Sequence, residues 1–128
     1  MIIDSKTIAI DFDGTIVENR YPRIGKPLPF AFETLQMLQK DGHRLILWTV
    51  RDGKELKEAV DFCRERSIEF YAINESFPGE SQTSAVRKIN VDYFIDDRNL
   101  PGFPGWGEIY QQFNAGEKPR KQKKWGLF

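Results

Sequence analysis

A chain of 128 residues, 40% hydrophobic and 30% charged, is long enough for one domain with a sizeable core and too apolar to remain unfolded. Nineteen basic residues balance nineteen acidic ones, so nothing in the overall charge favours nucleic acid or anionic lipid, and the lone Cys63 excludes an internal disulfide and a cysteine-rich zinc site. No apolar run approaches the roughly 18 residues of a bilayer span, and Asp4 and Lys6 break any signal-peptide pattern, so a cytoplasmic protein is expected.

The first strand is expected at Thr7-Ile8-Ala9-Ile10, which runs into Asp11-Phe12-Asp13-Gly14. Residues 19–29, rich in Pro, Gly and Arg, look too irregular for a long element. Over 30–40, Ala31, Leu35 and Leu38 recur at helical spacing and Asp41-Gly42 supplies the stop. Residues 44–50 read as a buried strand ending in polar residues. A helix is expected over 54–66, with Leu56, Val60 and Cys63 on one face. A short strand at 69–73 closes at Asn74, and a short helix is expected at 81–89. The next strand, 91–95, ends at Asp96-Asp97, and a last helix is expected over 106–113.

Strands alternating with helices predict an α/β fold: a three-layer, Rossmann-like, mostly parallel sheet with helices on both faces. Residues 1–115 are expected to form the domain. The remainder, 116–128, holds five basic residues and one acidic residue and reads as a basic tail, flexible or docking on a neighbour.

Ligands in such sheets sit beyond the carboxyl ends of the strands. The reactive polar residues fall at three such ends: Asp11 and Asp13, then Thr49, then Asp96 and Asp97. Residues two apart in a strand share a face, so Asp11 and Asp13 are expected in one crevice, where a cation or a shared proton must offset their repulsion. Asp96 and Asp97 add oxygen ligands, which suit a hard divalent ion such as Mg²⁺. A hydroxyl at Thr49 and a cation at Lys88 or Arg87 would offer donors to an anionic group. Such a set describes a phosphoryl-transfer site.

With IAIDFDGT at 8–15, LILWTVR at 45–51, Lys88, and YFIDDRN at 93–99, the sequence resembles the haloacid dehalogenase (HAD) superfamily of phosphohydrolases. The resemblance implies that Asp11 attacks phosphorus to form an aspartyl-phosphate, and that Asp13 serves as general acid and then general base. It also implies Mg²⁺ held by the Asp11 carboxylate, the Asp13 backbone carbonyl and Asp96, with Asp97 acting through water or as an anchor. Thr49 would hydrogen-bond the transferred group and Lys88 would offset its charge. Lys88 lies only eight residues before Asp96, closer than is usual in the family, and Arg87 competes for its role.

Only short segments separate the motifs, so the chain looks capless. Arg20, Arg23 and Arg51 are candidate substrate contacts, with Tyr21, Lys26 and Arg98 as weaker ones. The expected function is Mg²⁺-dependent hydrolysis of a phosphomonoester of unspecified class. The alternatives are a phospho-accepting receiver-like module and a non-hydrolytic protein of the same fold. A receiver would place its metal-binding acid pair on the first strand and its acceptor mid-chain, the reverse of the order here. Nucleic acid is the weaker choice of partner, no membrane association is expected, and a homo-oligomer stays open.

Overall fold

The computed structural model describes residues 4–80 and 89–115. Its central sheet has four parallel strands in the order β5-β4-β1-β6: β1 (Thr7–Ile10), β4 (Arg44–Leu47), β5 (Ala72–Ile73) and β6 (Tyr93–Ile95). The chain moves from β1 outward through β4 and β5, then returns to add β6 on the other side of β1. The first strand is thereby central, and its carboxyl end is flanked by those of β4 and β6. Ile10 pairs with Leu47 on one side and with Ile95 on the other, which brings Asp11 level with Trp48 and Asp96.

Alternation along the strands sorts their side chains between two faces. Ile8, Ile10, Leu45 and Leu47 form one face, at most 1% exposed, and each contributes roughly 1.5–3 kcal/mol by burial. Against it pack α1 (Ala31–Lys40), α2 (Gly53–Arg64) and α3 (Trp106–Ala115), through Ala31, Phe32, Leu35 and Leu38, through Ala59 and Cys63, and through Trp106 and Ile109. Burial pushes the Cys63 thiol up to about 12, so this group is core and chemically quiet. Ala9, Ile46, Ala72 and Ile89 line the opposite face, with Trp48, Tyr71 and Val91 packed on them. The three described helices all lie on the first face, while the helix expected at 81–89 falls, apart from Ile89, outside the described residues. The basic tail at 116–128 lies outside them too. Among the described residues no helix is long and apolar enough to cross a membrane.

The segment read as irregular contains a β-hairpin, β2 (Val17–Arg20) and β3 (Arg23–Pro27), with a register shift between Val17 and Asn19. Its sequence, VENR followed by RIGKP, carries no two-residue apolar period, because most of its side chains face solvent. Close strand contact holds it instead: a Cβ at Gly25 would collide with the Glu18 carbonyl. Other strands are shorter than expected. The 44–50 strand stops at Leu47 because the next residues turn: the Thr49 amide donates to Asn74 Oδ1 (2.7 Å) and the Arg51 amide to Thr49 Oγ1 (3.1 Å).

Candidate active site

The carboxyl ends of β1 and β6 present three carboxylates to one another. Oxygen atoms from Asp11, Asp96 and Asp97 all lie within 4.8 Å of each other. Burial is the largest cause and the Asp96 charge the next in raising the Asp11 pKa to about 7, while hydrogen bonds from the Phe12 backbone and Thr15 act in the opposite direction. Thr15 organises the group: its Oγ1 donates to Asp11 Oδ2 (3.2 Å) and accepts the Asp97 amide (3.0 Å). Asp96 Oδ1 accepts the Arg98 amide (2.9 Å), which fixes its direction.

Two observations fit this cluster to a cation. Asp97 Oδ1 is buried and has no hydrogen-bond partner among the described residues, and an unpaired buried acceptor of this kind is costly without a ligand. Gly14, at φ +88°, has no side chain where the Asp97 carboxylate sits, and a Cβ there would collide with it. Three carboxylates form an all-oxygen donor set, the chemistry that hard divalent cations prefer. The three Asp residues could therefore hold a metal ion.

Asp13 takes a separate direction. The alternation expected to align it with Asp11 ends with β1 at Ile10, and the chain then turns, with the Ile16 amide donating to the Phe12 carbonyl (2.9 Å). Both Asp13 oxygens accept from Arg51, from Nε and from Nη2, each at 2.8 Å. This bidentate pairing raises the Arg51 pKa above its ordinary value, against the opposing effect of burial. Arg51, expected to contact substrate, has a side chain with no solvent exposure. Thr49 lies just past the end of β4, beside the end of β1. Arg20 and Arg23 are exposed at the hairpin tip, where Arg20 Nη1 donates to the Asn19 carbonyl (3.3 Å). Lys88 and its competitor Arg87 lie outside the described residues.

The sequence reading did not single out three groups that shape this site. Thr15 ends the IAIDFDGT motif, and its hydroxyl bridges Asp11 and the Asp97 amide. Asn74, with φ 56°, secures Thr49 from the end of β5. Trp106, the first residue of α3, is 1% exposed, and its indole Nε1 donates to the Thr15 carbonyl (2.7 Å), so α3 braces the loop that carries the acids. Only Thr15 had a visible signal, its place in the motif. The other two depend on contacts across 25 and 91 residues.

The fold and this site define an α/β protein with an acidic, cation-competent centre at the carboxyl edge of a parallel sheet. No family model matches the sequence. Over 90 residues the chain is 26% identical to a Bacillus cereus protein named "Putative nucleotidase", a match that covers 66% of this chain and 46% of that protein. The chain thus spans about half the length of the curated relative it matches. A solved structure, that of a conserved protein from Bacteroides thetaiotaomicron, is 55% identical with a TM-score of 0.83, covering 88% of this chain and 93% of that one. The chain belongs to the same family as this conserved Bacteroides protein.

Proposed function

We propose that the protein is a Mg²⁺-dependent phosphatase of the HAD superfamily, hydrolysing a phosphomonoester through an aspartyl-phosphate on Asp11. The observation that carries this reading is the convergence of Asp11, Asp96 and Asp97 at adjacent strand ends, with a buried, unpartnered oxygen on Asp97. The name of the Bacillus relative supports hydrolysis of the nucleotidase type, so nucleoside monophosphates are the first substrates to try.

In this reading Asp11, Asp96 and the Asp13 backbone carbonyl, with Asp97 directly or through water, would hold Mg²⁺, which would supply positive charge to the phosphoryl oxygens. An Asp11 carboxylate oxygen attacks phosphorus as the bond from phosphorus to the leaving oxygen breaks; Asp13, which must first turn one oxygen away from Arg51 and take up a proton from solvent, passes that proton to the leaving oxygen. Water then attacks the aspartyl-phosphate, its proton passes to Asp13, and inorganic phosphate leaves with Asp11 restored. Thr49 donates its hydroxyl to the transferred group, and Lys88 is assigned to offset its charge. Arg20 and Arg23, exposed at the hairpin tip, are assigned to the rest of the substrate. The test is hydrolysis of an aryl phosphate and of nucleoside monophosphates with Mg²⁺ and with chelator, beside Asp11→Asn. Turnover that needs Mg²⁺ and is lost in the variant is expected. Equal turnover by the variant would overturn the nucleophile assignment.

A further inference from the structure

We propose that Arg51 is a positioning residue that ties the direction of the Asp13 carboxylate to the seating of the β2–β3 hairpin, so that the two move as one unit. A guanidinium has five N–H donors in a rigid fork. In Arg51 they meet five acceptors on three segments. Nε and Nη2 donate to Asp13 Oδ2 and Oδ1 (2.8 Å each), and Nη2 also to the Arg23 carbonyl (2.9 Å). Nη1 donates to the Pro22 carbonyl (3.1 Å) and, more weakly, to the Glu55 carbonyl (3.4 Å). The cation also lies against two rings, 5.1 Å from the Phe12 centroid and 5.0 Å from that of Tyr21.

Packing alone does not require this arrangement. A buried ion pair adds little stability over well-packed apolar side chains of similar volume, because desolvation offsets most of the attraction. What an apolar group could not do is hold a carboxylate and two hairpin carbonyls in one plane. The tip has little else to hold it: Tyr21 is 52% exposed. Among the described residues, the hydrogen bonds that fasten the tip to the rest of the protein are those from Arg51 to Pro22 and Arg23. Lifting the tip breaks them and disturbs the same guanidinium plane that aims Asp13. Arg51 thus acts on the reaction through Asp13 and through the seating of the hairpin that carries the exposed Arg20 and Arg23.

The inference rests on the phosphatase reading only for its kinetic arm, so two assays are needed. In the first, limited trypsin digestion with mass spectrometry compares cleavage after Arg20 and Arg23 with cleavage after Lys57 and Arg64 in α2, which reports general unfolding. R51K and the isosteric D13N should each speed hairpin cleavage about tenfold relative to the α2 sites, and the double variant should add less than about twofold. Should R51K fail to fold, D13N alone must still loosen the hairpin. Additive effects, or hairpin cleavage unchanged in D13N, would overturn the coupling.

In the second, R51K and wild type are compared on an alkyl and an aryl phosphate. The alkyl leaving group depends on the proton that Asp13 delivers, so its kcat should fall about tenfold more than that of the aryl ester, with KM changed by less than about threefold. Equal losses on both esters would mark Arg51 as structural only and overturn the positioning role. A wild type that hydrolyses neither ester, with the cleavage coupling intact, would sink the phosphatase reading and leave the link between Arg51, Asp13 and the hairpin supported.

Discussion

Replacing Asp11 with Asn should stabilise the cation-free protein at alkaline pH while removing the proposed nucleophile. In the folded chain the Asp11 pKa is raised from 3.8 to about 7, by burial first and by Asp96 second. The native state therefore holds a proton that the unfolded chain has lost between about pH 4 and pH 7. Stability falls as pH rises through that window and falls no further above it. At about 1.36 kcal/mol per pH unit, the full shift corresponds to roughly 4 kcal/mol. The carboxylate stands partly in solvent, however, and screening reduces the expected effect to about 1–2 kcal/mol. Asn cannot ionise, so D11N should exceed wild type by about that amount at pH 8 with chelator and match it near pH 4. Urea denaturation followed by circular dichroism measures both. Adding Mg²⁺ should stabilise wild type and reverse the order at pH 8, because a ligand that binds only the native state adds to its stability. A D11N variant less stable than wild type at pH 8 in chelator, or a difference that does not change with pH, would refute the reasoning.

Arg51→Met should cost about 3–5 kcal/mol by leaving Asp13 as a nearly buried, unpaired charge, and the double variant R51M/D13N should recover part of this in thermal melts. Trp106→Phe removes the donor to the Thr15 carbonyl and should cost about 1–3 kcal/mol in urea denaturation, with weaker Mg²⁺ binding by calorimetry. Gly14→Ala combines φ +88° with a collision against the Asp97 carboxylate and should cost roughly 1–3 kcal/mol and weaken Mg²⁺ binding more than Gly42→Ala, whose Cβ meets nothing within 4 Å. Unchanged Mg²⁺ affinity in Gly14→Ala would count against Asp97 as part of the cation site.

The parallel sheet was legible in the sequence because each strand is a compact apolar run that ends in a polar turn. The same signal located Asp11, Asp96 and Asp97, since parallel pairing of these runs brings their carboxyl ends together. Periodicity could not place Asp13. Its parity with Asp11 would hold only if the strand continued, and the chain turns two residues after Ile10. The hairpin was obscure for a related reason: it is mostly exposed and carries no apolar alternation. Arg51 reads in the sequence as a candidate substrate contact because nothing local shows that its partners lie 38 and 28 residues away. A charged side chain follows its partners rather than its neighbours in sequence. The anchoring of Thr15 by Trp106 is likewise a tertiary fact, invisible to spacing.

The most direct test of the central claim is to find the residue that carries the phosphoryl group. Wild type and D13N, quenched during turnover of an aryl phosphate with Mg²⁺ and reduced with borohydride, would be digested and sequenced by mass spectrometry. An acyl phosphate at Asp11 should be converted to homoserine at position 11, and more completely in D13N, where the second step lacks its base. Homoserine at another aspartate, or none in a preparation that turns over, would contradict it.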